Sequence, residues 1–254
     1  MKKLFGKLKK LISGGNILYY PGCLTHFVYP DIEENYKNLL KMMEIDFIFI
    51  PEFNCCGSPV LNAGYKSDFE DLQESNRIFL SKYGIKKIIT SCPACYLILK
   101  DNYGLDVEHI TETIVKNIHK IDPKFAKDVE GNKITYHDPC HLGRKGRIFD
   151  EPRKIIKNLN LKLLELPCNH NDSLCCGAGG GLKNHNPDLA NKIAKARLKL
   201  CKTVSLVTPC PMCYSHFKEH AKDRGIEVLE FSQLLIGKYA IQSQTPNEGG
   251  KEIE

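Results

Sequence analysis

Ten of the twelve cysteines in this 254-residue chain fall into two copies of one pattern. In the first copy Cys23 is followed, after 31 residues, by the adjacent pair Cys55-Cys56, and after a further 35 by Cys92-x-x-Cys95. In the second, Cys140 is followed after 34 residues by Cys175-Cys176, and after a further 33 by Cys210-x-x-Cys213. The offsets between copies are 117 (Cys23 to Cys140), 120 (Cys56 to Cys176) and 118 (Cys92 to Cys210). The flanking text repeats too: "IITSCPACY" closely matches "LVTPCPMCY", and "YYPGCLTHF" loosely matches "YHDPCHLGR". An internal repeat restricts the fold more than any single motif. Here it requires five separated thiols to be gathered twice. Adjacent cysteines point apart and form only a strained disulfide, so each pair needs partners from elsewhere in the chain.

Hydrophobic residues make up 42% of the chain and charged residues 26%, as in a soluble globular protein. Lysine and arginine exceed acidic residues by 36 to 30, a net charge of +6. With no arginine-rich block, nucleic acid is not an expected partner. Lysines interrupt every apolar run of "MKKLFGKLKKLISGG", so no signal-peptide core is present, and no stretch approaches a membrane span. These features predict a cytoplasmic, reducing compartment. There, clustered cysteines serve as metal ligands or redox groups rather than structural disulfides. Cys168 and Cys201 lie outside the repeat. Cys201 reads as a small buried hydrophobe in a helical pattern, and Cys168 as a spare thiol close enough in sequence to Cys175 to touch the same site.

Each half reads as alternating strand and helix. In the first, "NILYY" (16–20), "IDFIFI" (45–50), "KKIIT" (86–90) and "VEHI" (107–110) have strand character. Helical patterns cover 31–44, 67–83, the segment "PACYLILKDNY" and 111–120. The second half repeats this with strands "KITYH", "LKLLEL", "VSLVT" and "IEVLEF", and with helices near 151–159, 187–201, 211–223 and 232–240. Such βα alternation predicts an α/β protein of two tandem domains, each a small parallel sheet flanked by helices. The expected organisation is a basic amphipathic segment (1–15), a first domain (16–121), a linker (122–132), a second domain (133–240) and a polar tail (241–254). Every patterned cysteine then follows a strand. In a parallel sheet those C-terminal strand ends share one edge, where open α/β folds bind their ligands.

Cys-x-x-Cys at a helix start gives one centre two thiolates, favoured by free N–H groups and the helix dipole. Gly57 and Gly177 let backbone come close to such a centre. The run "GAGGG" (177–181) could instead form a phosphate loop, but it lacks the lysine and hydroxyl residue that a P-loop uses. Zinc and an ordinary cubane each take four ligands. Five thiols therefore imply either a cluster of unusual shape or four ligands with one reactive thiol; a zinc site in one half stays open as an alternative.

The arrangement resembles the cysteine-rich CCG domain, written approximately C-x31–39-CC-x35–36-C-x2-C. The first half fits fully, and the second is slightly shortened before its Cys-x-x-Cys. "YHDPCHLGR" and "CCGAGGG" are similar to segments of heterodisulfide reductase catalytic subunits and of related glycolate, glycerol-3-phosphate and lactate oxidoreductase iron–sulfur subunits. This resemblance covers roughly residues 16–235. It implies one [4Fe-4S] cluster per domain, cubane or noncubane. Cys23, Cys55, Cys56, Cys92 and Cys95 would hold the first, and Cys140, Cys175, Cys176, Cys210 and Cys213 the second. In heterodisulfide reductase a substrate disulfide is cleaved between two such clusters, with one electron from each side. Relatives of the membrane type carry a ferredoxin-like C-x2-C-x2-C-x3-C segment before these domains. Its absence here implies electrons from a partner polypeptide of ferredoxin-like, flavoprotein or cytochrome b type, and a small thiol or disulfide substrate.

His137, Asp138 and His141 bracket Cys140. His137 and His141 are candidate proton donors to a leaving thiolate, or merely bond loop backbone. Arg144 and Arg147, with Lys145, could hold an anionic substrate, or form a solvated basic loop. His26 occupies the matching loop of the first half. Leu4, Phe5, Leu8, Leu11 and Ile12 recur at helical spacing opposite lysines. That face suits docking on a partner or an anionic, peripheral membrane surface, or packing on the body. Three functions compete on these grounds: a catalytic disulfide-reducing subunit, an electron-relay subunit of a dehydrogenase complex, and a zinc-binding structural protein.

Overall fold

The computed structural model describes residues 15–242. The amphipathic segment ahead of Gly15 and the tail beyond 242 lie outside the described residues. In the first half, β1 (Asn16–Tyr20) leads into α1 (Cys23–Val28) and α2 (Pro30–Met42); α3 (Ser58–Asn62) and α4 (Lys66–Lys82) follow. Then come β2 (Ile85–Thr90), α5 (Pro93–Leu97), β3 (Val107–His109) and α6 (Ile110–Lys116). A wider π-turn, Ile98–Asn102, extends α5. In the second half, β4 (Lys133–Tyr136), α7 (Asp150–Asn158), β5 (Lys162–Leu163), α8 (Leu182–His185) and α9 (Pro187–Leu198) precede β6 (Ser205–Thr208). The half closes with α10 (Pro211–Ala221), β7 (Glu227–Glu230) and α11 (Phe231–Gln242).

Both sheets are parallel and share one topology. The first runs β1-β2-β3 and the second β5-β4-β6-β7. The first sheet's counterpart of β5 is the segment 45–50, expected as a full strand. It makes a single parallel bridge, Leu18 to Ile48, through Tyr19 N–H to the Ile48 carbonyl and Ile48 N–H to the Ile17 carbonyl. The segment is an edge with a neighbour on one side only, and Pro51 ends its ladder. β5 is short for the same reason of position. With that segment counted, each sheet has its first strand second in order, so the chain reverses direction beside β1 and beside β4. That switch point opens a crevice at the C-terminal strand ends. The central strands are buried on both faces, which explains their unbroken apolar runs.

α2 shows how the sequence builds the layer around the sheet. Pro30 stands at its first turn with Asp31 and Glu33, and Ile32, Tyr36, Leu39 and Leu40 form one buried stripe. That stripe does not cover its own sheet alone. α2 packs against α11, and α6 packs against α7. Each contact is the other with the halves exchanged, so the halves pack as an approximate twofold pair. Their apolar side chains merge into one core containing Tyr36, Leu39, Ile114, Ile155, Phe231 and Leu234. Each fully buried aliphatic side chain stabilises by roughly 1.5–3 kcal/mol, so this core holds the halves together. The 122–132 linker is packed as well: Ala126 and Val129 are buried, and Lys127 N–H donates to the Leu234 carbonyl at 2.8 Å.

One polar group sits inside this seam. The Tyr36 hydroxyl of the first half donates to Glu230 Oε1 of the second at 2.5 Å, and Ser232 donates to Glu230 Oε2 through both its N–H and its hydroxyl. Glu230 is fully buried, and burial raises its carboxyl to about 7 against these hydrogen bonds. A carboxyl that titrates later in the folded protein than in the unfolded chain favours folding at low pH, and that contribution fades as pH rises through about 7. Replacing Glu230→Gln should therefore flatten the fall in stability between pH 5 and pH 8, a difference on the order of 2–3 kcal/mol in denaturant unfolding. An unchanged pH profile in the variant would show that Glu230 is already ionised in the fold.

Candidate functional site

The ten patterned cysteines gather as two groups of five, and the neighbours are the same in each. In the first half Cys23 lies against Cys55, Cys55 against Cys56, Cys56 against Cys95 and Cys95 against Cys92. In the second, Cys140 lies against Cys175, Cys175 against Cys176, Cys176 against Cys213 and Cys213 against Cys210. The Cys213 thiol is 3.2 Å from Cys176 Sγ. Cys92 and Cys210 are the N-cap residues of α5 and α10, each with proline at the first helical position. The vicinal pairs are explained by their turns: Gly57 (φ 88°) and Gly177 (φ 89°) take left-handed conformations directly after them. Their N–H groups come back onto Cys55 Sγ at 3.5 Å and Cys175 Sγ at 3.3 Å.

The vicinal pairs of the two groups share one electrostatic pattern. Cys55 and Cys175 are pushed well below the ordinary thiol range, chiefly by hydrogen bonds from Cys23 and Cys140, then from Cys56 and Cys176. Cys23 and Cys140 are correspondingly raised by the same bonds and by burial. Cys55 and Cys175 are thus each poised as a thiolate, and in the first group Cys92 is lowered as well, chiefly by a hydrogen bond from Cys95, with no cation in either set to balance the charge. Soft anionic sulfurs without a counter-charge are a donor set for a soft metal centre. Cys168 is exposed. Cys201 is half-buried, its thiol donating to the Thr203 carbonyl at 3.3 Å.

Each group abuts the opposite half. α5 packs on the π-turn His141–Lys145 that follows Cys140, and α10 packs on α1, which begins at Cys23. A side chain at Gly146 would come within 3.2 Å of the Tyr96 ring, and Tyr214 meets Tyr29 edge-on at 5.2 Å between centroids. Tyr96 and Tyr214, each the residue after a Cys-x-x-Cys, accept from Lys100 at 2.7 Å and Lys218 at 3.0 Å. The repeated C-P-x-C-Y-x3-K was readable in the sequence as a spacing shared by the halves, though its role as a seam contact was not.

The flanking residues divide sharply. His137 is fully buried, desolvation lowers it to about 3, and neither ring nitrogen has a hydrogen-bond partner. A ring nitrogen of His137 lies within 4.8 Å of the sulfurs of Cys176 and Cys213. Tyr20 holds the equivalent place in the first half, with its hydroxyl spent on the Asn54 carbonyl at 2.6 Å. His141 is half-buried, its Nδ1 3.3 Å from Cys140 Sγ. The Arg144 guanidinium is engaged with the Ser173 carbonyl, and exposed Arg147 reaches Asn171 Oδ1 at 3.1 Å. His26 pairs with Glu33 at 2.6 Å. The positions of Gly177, Gly180 and Gly181 in left-handed conformations serve the turn into α8.

Sequence reasoning missed two supporting arginines. Arg153 grips both oxygens of Asp138 at 2.8 Å and Glu165 at 2.7 Å, while Asp138 accepts His170 N–H. This fixes the loop that carries Cys140. Arg197 is almost wholly buried and donates to the Pro167 and Cys168 carbonyls and to Ser173 Oγ, just ahead of Cys175. No short-range signal marks either residue, because the side chains and loop carbonyls they hold lie 12–30 residues away.

Residues 17–100 and 134–218 each match the cysteine-rich domain, CCG. The chain belongs to this family. Its two CCG domains are thus the two halves described above. One relative is a subunit of the CoM/CoB fumarate reductase of Methanothermobacter marburgensis, 32% identical over 242 residues, covering 89% of this chain and 47% of that protein. Another is a subunit of the dihydromethanophenazine:CoB–CoM heterodisulfide reductase of Methanosarcina acetivorans, 30% identical over 220 residues, covering 80% and 54%. An uncharacterized iron–sulfur protein of Methanococcus maripaludis is 32% identical over 234 residues, covering 86% and 46%. The chain spans about half the length of these curated relatives, all of them iron–sulfur proteins or oxidoreductase subunits by name. No helix among the described residues is long and apolar enough to cross a membrane.

The glycine after each cysteine pair offers a direct test of this geometry. A Cβ at Gly177 would meet the Ala190 carbonyl oxygen at 2.8 Å, whereas one at Gly179 meets nothing within 4 Å. Gly177→Ala should destabilise the second CCG domain by about 2 kcal/mol or more, while Gly179→Ala stays within about 0.5 kcal/mol in the same unfolding measurement. Equal effects at the two positions would mean that the turn is not fixed by Gly177.

Proposed function

We propose that this chain is an iron–sulfur redox subunit that reduces a disulfide substrate with electrons from a partner polypeptide. Each CCG domain would hold one [4Fe-4S] centre, the first through Cys23, Cys55, Cys56, Cys92 and Cys95, the second through Cys140, Cys175, Cys176, Cys210 and Cys213. The observation that carries this reading is the identical order of sulfur neighbours in both halves, each group set against the opposite half. Five soft sulfurs fit such a centre better than a four-coordinate zinc ion. The orphaned nitrogens of His137 fit as well, since a sulfide or thiolate of the second centre would give its N–H an acceptor.

When bound, the iron–sulfur centres supply electrons one at a time. Reduction of R–S–S–R′ consumes two electrons and two protons and yields two thiols, so two one-electron sites in one chain suit its stoichiometry. This chain's own residues would handle the protons and the charge. His141, beside Cys140 and half-exposed, can take a proton from water and hand it to a departing thiolate. His137 is sealed from water, so it would orient the second centre rather than exchange protons with solvent. Exposed Arg147 keeps N–H groups free for an anionic substituent on the substrate, whereas Arg144 would first have to release the Ser173 carbonyl. The electron donor would be a ferredoxin-like protein, a flavoprotein or a cytochrome of the b type, in keeping with relatives named as parts of complexes.

Titrating the oxidised holoprotein with thiols under EPR tests the catalytic step. A paramagnetic signal that appears only with a particular thiol supports disulfide chemistry at the centres. Its absence across thiols would assign the chain to electron relay alone. His141→Ala should lower disulfide turnover about 100-fold near neutral pH while leaving iron content unchanged; unchanged turnover would remove His141 from the proton path.

A further inference from the structure

α10 carries a second set of ligand-type side chains, one turn beyond Cys213. His216, Glu219 and His220 have the spacing i, i+3, i+4 and so share one face of the helix. One donor atom from each lies within 4.8 Å of the others. The imidazole rings stand 5.1 Å apart between centroids, and His216 Nδ1 is 3.9 Å from Glu219 Oε2.

The outer contacts fix which nitrogens are available. His216 Nε2 lies 3.2 Å from the Ala190 carbonyl, which only accepts, so Nε2 carries the hydrogen. That leaves Nδ1 of the neutral ring as a lone pair. It is buried, has no hydrogen-bond partner, and points toward a carboxylate that also only accepts. His220 repeats the arrangement: Nε2 donates to Asn191 Oδ1 at 2.9 Å and leaves Nδ1 open. Ala190 and Asn191 are neighbours on α9, so one helix sets both rings. Metal-binding histidines are held in this way, with the second ring N–H given to a carbonyl or amide oxygen. Two imidazoles with their outer nitrogens engaged thus converge with a carboxylate that Lys183 also holds.

The corresponding residues of the first half are Ile98, Asp101 and Asn102, at an offset of 118, and they form part of a π-turn. The trio is therefore not part of the cysteine repeat. Lys183 occupies the place a cation would compete for, bonding both Glu219 oxygens at 2.6 and 2.7 Å.

We propose that His216, Glu219 and His220 form a site for one divalent transition-metal ion of the zinc class, separate from the cysteine groups and gated by Lys183. Two imidazoles and a carboxylate suit Zn²⁺, Co²⁺ or Ni²⁺ and leave coordination positions for water. A site of that composition exchanges its metal more readily than a closed structural one. Two histidines at i, i+4 on one helix face, as in H-x-x-E-H, are a known metal-binding spacing, and it was present in the sequence.

Cobalt distinguishes this site from the thiols by spectrum, because thiolate ligands add intense near-ultraviolet charge transfer and imidazole–carboxylate sites give only weak visible bands. The full chain, with its cysteine centres loaded, is titrated anaerobically with Co²⁺, cobalt per chain is counted, and the cobalt bands are read as the difference from the cobalt-free chain, whose iron–sulfur centres absorb in the same range. The expected result is one Co²⁺ with weak visible bands and no thiolate charge transfer. His220→Ala should weaken that binding by tenfold or more, and Lys183→Ala should tighten it several-fold. His216 is buried and its replacement can disturb folding, so His220, which is partly exposed, carries the test. Cobalt bound only with thiolate charge transfer, or affinities unmoved by both His220→Ala and Lys183→Ala, would overturn the proposal.

Discussion

Five thiols held in contact with one another, with no cation among them, are the constraint on which the rest of each half depends. Such a group cannot be assembled from neighbouring residues. Parallel strands solve the assembly problem. Residues that follow β1, the edge segment 45–50 and β2 arrive at one end of the sheet, although 72 positions separate Cys23 from Cys95. The left-handed turns at Gly57 and Gly177 fold each vicinal pair inward. Helix starts at Cys92 and Cys210 bring the last two sulfurs to N-cap geometry. The remaining elements serve mainly to hold these ends still.

The same logic connects the two halves. An approximate twofold relation sets α2 against α11 and α7 against α6, and it places each Cys-x-x-Cys helix beside the first cysteine turn of the other half. Neither group would be walled without its counterpart. The halves are not chemically equal, however. The second has buried His137 where the first has Tyr20, and it has Arg197 buried behind its cysteine pair. Two centres in these surroundings would differ in hydrogen bonding and in nearby charge, the two levers by which a protein separates the potentials of like centres.

Much of this was legible in the sequence because the cysteine spacing is local and repeated. The strand before each cysteine, the proline-started helices and the parallel α/β class all follow from runs of five to fifteen residues. The apolar runs 45–50 and 161–166 suggest longer strands than form, since such a run does not reveal that its segment is an edge with one partner. Helix 111–120 ends at Lys116 in α6, with a tighter turn after it. What could not be read was long-range: the Tyr36–Glu230 bond joins residues 194 apart, and Arg197 reaches loops that composition does not mark. That His137 is sealed and His141 half-exposed depends on packing, which their shared neighbourhood in the sequence concealed.

The central claim is that both groups of five cysteines hold iron–sulfur centres. Iron and acid-labile sulfide measured in the full chain, purified and reconstituted without oxygen, test it most directly. The account predicts about eight irons and as many sulfides per chain, for two [4Fe-4S] centres. A chain that takes up no iron, or that saturates at about four, would contradict it.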